Sequence, residues 1–156
     1  MRRLSFIWLL AAACLSAQVG VVGTYTAESK ASVTTTAQVF TCRNPAGSGV
    51  RAMLSGASVY SSVAVEFTVE RDGTFASGNG IAPAELNPDT DVAATMLCTA
   101  GTSISSTVVI GRQVVPAGGT ILLDLDGIQL NAGEAITIRT ASTTATVIAN
   151  MKWQER

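Results

Sequence analysis

Apolar and polar residues alternate with a period of two along the body of this chain. In residues 62–70 the side chains of Val63, Val65, Phe67 and Val69 share one side, and small or polar residues share the other. Such alternation predicts a β-strand with one buried face and one face toward solvent. The same alternation recurs toward the end of the chain, so the pattern indicates a protein built from half-buried strands.

Seven candidate strands follow from this alternation. They lie near residues 36–42, 49–55, 57–70, 104–115, 120–126, 134–140 and 144–154. Glycine-rich breaks separate the later strands, as expected where a chain must turn. Many short strands joined by turns are typical of sandwiches and jelly rolls. The sequence therefore predicts an all-β fold, a β-sandwich of the jelly-roll type, over residues 36–156.

Three connections carry recognisable turn chemistry. Residues 71–74 (Arg-Asp-Gly-Thr) predict a tight turn that returns residues 74–76 as the hairpin partner of the preceding strand. Residues 44–49 (Asn-Pro-Ala-Gly-Ser-Gly) lack the Lys-Ser/Thr ending of a phosphate loop and predict a rigid corner. Residues 77–91 contain two prolines and two glycines, which favours a surface crossing between the sheets over a dedicated contact loop.

Composition sets the size of the core. The chain has 156 residues, of which 47% are hydrophobic and only 5% aromatic. A domain of about 150 residues buries about two-thirds of its unfolded surface, so one core is sufficient. Ala, Val, Ile and Leu mixed with many Thr and Ser favour strands with one apolar and one hydroxyl-rich face.

Charge and residue content exclude several kinds of function. The net charge is −1 and the Lys and Arg residues are scattered, which predicts no nucleic-acid partner. The chain has no histidine, the residue on which general acid–base catalysis near neutral pH most often depends. We therefore expect a protein that is not an enzyme and has no catalytic, cofactor-binding or metal site.

Two features near the end of the chain have alternative interpretations. Residues 124–127 (Asp-Leu-Asp-Gly) are similar to part of a calcium loop, but Glu134 is too near to supply the terminal ligand, so a polar strand end is favoured. Trp153 could anchor a subunit interface, although a ring that closes the core is the default.

The N-terminal segment, residues 1–35, is open to two interpretations. Arg2 and Arg3 precede an apolar run over residues 4–15, as in a secretory signal peptide, and the run is too short to span a bilayer as an ordinary helix. Cleavage after Ala17 would place a leucine at the position three residues before the cut, where a smaller residue is usual. The alternative is an uncleaved apolar arm that packs on a neighbouring subunit.

The expected oxidation state of the cysteines depends on whether the protein is exported. Cys42 and Cys98 lie in the body of the chain, and Cys14 lies in the apolar run. In an exported protein Cys42 and Cys98 could pair, whereas in a particle assembled in a bacterial cytosol buried thiols are expected. Their spacing does not establish whether they are close.

Two matched segments, residues 40–54 and 118–134, each consist of a strand, a glycine-punctuated loop and a second strand. Together with residues 151–156 (Met-Lys-Trp-Gln-Glu-Arg), they resemble small β-sandwich structural proteins of tailed-phage virions, of the capsid decoration or head-fibre type. The resemblance spans residues 36–156. A signal-like start is not expected in such proteins.

The resemblance implies a structural virion protein that decorates or stabilises the phage particle. It implies a homotrimer whose partners are the major capsid protein or other virion proteins, with no nucleic acid bound. If the N-terminal segment is an assembly arm, no membrane is involved either. Residues 1–35 and 77–91 are the segments from which we expect contacts with these partners.

Two other functions remain open. The first is an exported bacterial β-sandwich subunit of the fimbrial or adhesin kind, secreted or periplasmic, with Cys42 and Cys98 oxidised. The second is a carbohydrate-binding module, which would need exposed aromatic residues on one face. Loss of glycan binding on mutation of Tyr60 would support that second alternative.

Overall fold

A computed structural model describes residues 23–33, 39–72, 74–75, 78–87, 93–101, 104–105 and 108–156. Every regular element among these residues is a strand, which confirms the all-β prediction. In chain order the strands are β1 (Gly23–Val33), β2 (Val39–Arg43), β3 (Ala52–Ser61), β4 (Val65–Arg71), β5 (Thr74–Phe75), β6 (Gly78–Ile81), β7 (Ala84–Glu85), β8 (Leu97–Gly101), β9 (Ile104–Ser105), β10 (Val108–Val115), β11 (Gly119–Leu123), β12 (Gln129–Leu130), β13 (Ala135–Thr140) and β14 (Ala145–Glu155).

Two antiparallel sheets of six strands contain nearly all of these elements. Sheet A has the order β11-β3-β14-β1-β7, and β12 also pairs with β3. Sheet B has the order β10-β4-β13-β2-β8-β6, while β5 and β9 form a separate pair. The first four strands alternate between the sheets, so the chain crosses repeatedly from one sheet to the other.

One apolar core lies between the sheets. From sheet B it takes alternate residues, among them Phe40, Cys42, Val65, Phe67, Val69, Ile136 and Ile138. From sheet A it takes Tyr25, Ala27, Leu54, Val59, Val147, Met151 and Trp153, among others. Alternation with a period of two therefore selects the buried face correctly in both sheets.

Two long antiparallel ribbons account for the order of the strands. In the first ribbon, β1 pairs with β14 in sheet A and β2 pairs with β13 in sheet B. In the second ribbon, β3 pairs with β11 in sheet A and β4 pairs with β10 in sheet B. Each ribbon passes from one sheet to the other, so its two halves contribute side chains to the same core.

The second ribbon continues beyond β4 and β10 through the short pairs β5·β9 and β6·β8. The pairs β4·β10, β5·β9 and β6·β8 keep one register, from Arg71 opposite Val108 to Ile81 opposite Cys98. Strand β8 then pairs with β2, β2 with β13, and β13 with β4. These pairings join the far end of the second ribbon to the first ribbon, while β10 and β6 are the two edge strands of sheet B.

The face of sheet B that points away from sheet A is largely polar, and part of it is buried. Thr41 and Thr137 lie opposite each other on β2 and β13, and their hydroxyl oxygens are 2.9 Å apart. Arg139 donates to Glu70, whose side chain is only 5% exposed, at 3.0 Å. These contacts give buried polar side chains of this face hydrogen-bond partners.

Strand β1 lies inside the segment 1–35 that the sequence separates from the sandwich. It pairs with β14 over its whole length, from Gly23 opposite Glu155 to Val33 opposite Ala145. Over residues 23–31 its inward positions carry small or hydroxyl-bearing residues apart from Tyr25, so the alternation is weak in the sequence. The remaining residues of this segment, 1–22 and 34–35, lie outside the described part of the chain, as does any arm or signal segment within residues 1–22.

Two local predictions are corrected. The strand expected at residues 57–70 is two strands, β3 and β4, which belong to different sheets, because the chain crosses between the sheets at residues 62–64. The hairpin expected after residue 70 does not form either. Strand β5 pairs with β9, a distant part of the chain, because β4 already has neighbours on both of its edges.

The connection expected at residues 77–91 crosses between the sheets over its described part. Strand β6 pairs with β8 in sheet B, and β7 pairs with β1 in sheet A. Leu86 follows β7, and its N–H donates to the carbonyl oxygen of Thr24 at 2.7 Å. Residues 77 and 88–91 of this connection lie outside the described residues.

Candidate functional site

Residues 124–127 form a turn that uses its own carboxylates. The N–H of Asp126 donates to Asp124 Oδ1 and the N–H of Gly127 donates to Asp126 Oδ1, both at 3.1 Å. Gly127 has a φ of 82°, which favours glycine. In the described part of the chain no group of three or more acidic or cysteine side chains is placed to hold a metal ion. Both carboxylates accept hydrogen bonds from the backbone of their own turn.

Residues 44–49 form the corner between β2 and β3, and Asn44 fastens it to a second loop. The buried Asn44 side chain donates from Nδ2 to the carbonyl oxygens of Val50 at 2.9 Å and Leu130 at 3.0 Å. The N–H of Gly133 donates to the Asn44 carbonyl oxygen at 2.7 Å. These bonds join the two glycine-punctuated loops on which the virion resemblance depends.

Glu134 stabilises the second of these loops. Its Oε2 accepts from the N–H of Asn131 at 2.6 Å and from Arg71 Nη2 at 3.0 Å. The hydrogen bond from the Asn131 backbone, more than the charge of Arg71, holds the pKa of Glu134 below its ordinary value, and partial burial opposes this shift.

Trp153 closes the core, as the default interpretation expected. Its side chain is 0% exposed, and its ring centroid lies 6.0 Å from that of Tyr25 on the neighbouring strand. Its Nε1 donates to Glu155 Oε1 at 3.1 Å. Burial, followed by the charges of Glu155 and Glu85, raises the pKa of the Tyr25 hydroxyl.

Glu155 is a buried carboxyl group that our sequence analysis did not single out. The N–H of Thr95 donates to both of its oxygens and the N–H of Met96 donates to Oε1, each at 2.9 Å. In the sequence Glu155 continues the inward series of Met151 and Trp153, and this charged residue at an apolar position was the available signal. Its role is to fasten residues 95–96 to the end of β14.

Cys42 and Cys98 form a disulfide. They are directly opposite each other on β2 and β8, with their Cα atoms 4.1 Å apart. This separation is typical of a pair of residues that do not exchange backbone hydrogen bonds in an antiparallel ladder. Both residues are buried in the core.

Strand β10 presents an apolar edge. Among the described strands it pairs only with β4, and its other edge has no partner. Four of its side chains, which we call the edge strip, are exposed: Val108 (61%), Val109, Ile110 and Val114 (64%). Apolar side chains beside unpaired strand edges favour contact with another chain.

A groove of about 400 Å³ lies on the outer face of sheet A. We call it the outer groove; the side chains that it exposes belong to Ser55, Ser58, Leu122, Asp124, Asn150 and Lys152. Leu122, Ser58 and Asn150 are direct neighbours across β11, β3 and β14. Tyr60 lies on the same face, two residues along β3 from Ser58.

No helix in the described part of the chain is long and apolar enough to cross a membrane. The arrangement offers a stabilised scaffold, an apolar edge and a polar groove. No family model, no curated protein and no solved structure matches this chain.

Proposed function

We propose that this protein is a structural subunit that acts by assembling with other protein chains, first of all with copies of itself. The observation that carries the proposal is the edge strip on β10. The unpaired backbone of β10 offers hydrogen bonds, and Val108, Ile110 and Val114 offer apolar area beside it. Pairing through a sheet edge combines these two contributions to binding.

We also propose that the sandwich is a jelly roll. What supports this topology is the pair of ribbons folded across two sheets. The two ribbons lie side by side, because β14 pairs with β3 in sheet A and β13 pairs with β4 in sheet B. Jelly rolls occur in viral capsid and lectin domains, although a fold alone does not determine a function.

The first setting that we propose is a phage virion, in which the protein is a capsid decoration or head-fibre subunit, a homotrimer bound to the major capsid protein or other virion proteins. Support comes from the two strand-loop-strand segments of the resemblance, which are joined through Asn44. Such a subunit would add contact area across the shell without catalysing a reaction.

The second setting is an exported subunit of the fimbrial or adhesin kind, secreted or periplasmic. The Cys42–Cys98 disulfide favours it, because disulfides persist in oxidising compartments and are rare in the cytosol. The signal-like composition of residues 4–17 agrees with export.

The assembly proposal is tested by replacing Val108 and Val114 together with lysine. Two lysine side chains on the edge strip should prevent it from pairing with a second chain. We therefore expect an oligomer for the wild type and a monomer for the variant. Light scattering after size-exclusion chromatography measures both masses. Ser142→Lys, on an exposed loop, is the control and should leave the mass unchanged. A monomeric wild type contradicts the proposal.

The two settings are separated by mass spectrometry of the native source. If purified phage particles contain the chain at a fixed ratio to the capsid protein, with residues 1–17 retained, the virion setting holds. If the secreted or periplasmic fraction contains a chain that begins near Gln18, with Cys42 and Cys98 oxidised, the exported subunit replaces it.

A further inference from the structure

The outer groove combines hydrogen-bonding groups with an apolar wall. Ser58 and Asn150 form part of its floor, and Leu122, 79% exposed, stands beside them on the edge strand β11. A lone leucine exposed to this extent is common on protein surfaces. What distinguishes Leu122 is its position next to a row of polar groups in a concavity.

A β-bulge opens the floor of the outer groove. Lys152 lies opposite Gly56 but Trp153 lies opposite Leu54, so Ser55 has no cross-strand partner in the ladder between β3 and β14. Gly56 has a φ of 141°, and a side chain there would have open space above it, since the nearest atom to a Cβ is the Leu123 carbonyl oxygen at 3.8 Å. Bulges of this kind often occur beside binding sites.

The charged groups of the groove are not consumed by ion pairs. Among the salt bridges of the described residues, none includes Lys152 or Asp124. Asp124 Oδ1 accepts from the N–H of Asp126, which holds the carboxylate in place at the wall. Asn150 is held by Thr26, to whose Oγ1 its Nδ2 donates at 3.0 Å. The groove therefore presents an ammonium donor, a carboxylate acceptor and hydroxyl groups, and hydrogen bonds hold the Asp124 carboxylate and the Asn150 amide.

We propose that the outer groove binds a saccharide of one or two sugar units. The hydroxyl groups of a sugar both donate and accept, which matches the mixture of Lys152, Asp124 and Ser58. The apolar face of a sugar ring fits against Leu122, and Tyr60 on the same sheet face offers an aromatic surface to an adjoining unit. The volume of the groove agrees with a small ligand, because ligand sites begin at about 300 Å³.

A zwitterion such as a free amino acid is the competing ligand, since Lys152 and Asp124 carry opposite charges. Exposed ion pairs contribute little in water, and a zwitterion leaves the hydroxyl and amide groups of the floor without a use. A saccharide can form hydrogen bonds with the charged groups and with the hydroxyl and amide groups of the floor, so the observations favour a saccharide. This inference does not depend on assembly, because the groove is formed by a single chain.

The test is a titration of the full chain followed by NMR of its backbone amides. The probes are the methyl glycosides of glucose, galactose, mannose and N-acetylglucosamine, with glycine as the zwitterion. We expect at least one glycoside to shift the amides of residues 55–58 and 150–152 in a saturable manner, with a Kd of the order of 1 mM.

The variants Asp124→Asn and Lys152→Met should each weaken that binding by about tenfold, because each removes a charge-assisted hydrogen bond. Lys30→Met is the control: Lys30 is exposed on the same sheet face but lies on β1, and its loss should leave binding unchanged. Unshifted amides in the presence of every glycoside, shifts caused by glycine instead, or equal binding by all three variants would overturn the proposal. None of these results affects the assembly test, which measures mass.

Discussion

Glu155 shows how one buried polar side chain can organise an end of the sandwich. Its two oxygens accept from the Thr95 and Met96 backbone and from the Trp153 ring, so its burial is compensated by hydrogen bonds. A buried carboxyl group without such donors would be costly. Here the donors also position the residues that lead into β8, and hence Cys98.

Replacing Glu155 with glutamine should lower the free energy of unfolding by about 2–3 kcal/mol, because an amide group that donates would face backbone groups that also donate. Urea unfolding followed by tryptophan fluorescence measures the loss. Glu28→Gln, at an exposed position on β1, is the matched control and should change the stability by less than about 0.5 kcal/mol. Equal free energies of unfolding for the two variants would show that the hydrogen bonds of Glu155 do not stabilise the fold.

Glu134 gives the protein a pH-dependent contribution to stability. Its pKa is lowered in the folded state, so its stabilising effect is complete above its ordinary value of 4.5 and is lost as the pH falls through the lowered pKa. Glu134→Gln should therefore cost about 1 kcal/mol at neutral pH. At a pH below the folded-state pKa, wild type and variant should have equal stability. Unfolding curves at several pH values test this, and a pH-independent difference would contradict it.

Between single residues and the whole fold, the ribbons are the structural units. Strand β2 lies between β13 and β8, so the disulfide at Cys42 and Cys98 joins the first ribbon to the extension of the second. The disulfide restrains two strands, β2 and β8, that would otherwise be held together by hydrogen bonds alone.

Reduction of this disulfide should lower the free energy of unfolding by up to about 4 kcal/mol, because the bond closes a long loop, with a sequence separation of 56 residues. Unfolding with and without a reductant measures the effect. A double Cys42→Ala, Cys98→Ala variant should not respond to the reductant. An unchanged wild-type curve, with both thiols shown to be reduced, would exclude a stabilising role.

The molecule as a whole consists of two antiparallel sheets that pack around one apolar core. Sheet B buries part of its polar outer face, including Thr41 and Thr137. Sheet A leaves its outer face open, and the outer groove lies there. We therefore place assembly at the edge strip of β10 and ligand binding in the outer groove of sheet A.

Alternation of apolar and polar residues was enough to predict the all-β class and most strands of the core. Val65, Phe67 and Val69, and later Ile136 and Ile138, were assigned to the correct side because a strand turns successive side chains to opposite faces. Local turn chemistry was also sufficient for the corner at residues 44–49. These features depend only on residues that are close together in the sequence, so they can be predicted from a single sequence.

Pairing between distant strands was decided only by the tertiary structure. Neither the place of β1 in sheet A, nor the partner of β5, nor the contact of Cys42 with Cys98 can be read from local patterns, because each depends on which strand occupies the adjacent edge. The outer groove has the same origin, since its residues come from β3, β11 and β14. The sequence thus determined which residues form strands and which faces are apolar, and long-range hydrogen bonding determined which strands, and which polar side chains, meet.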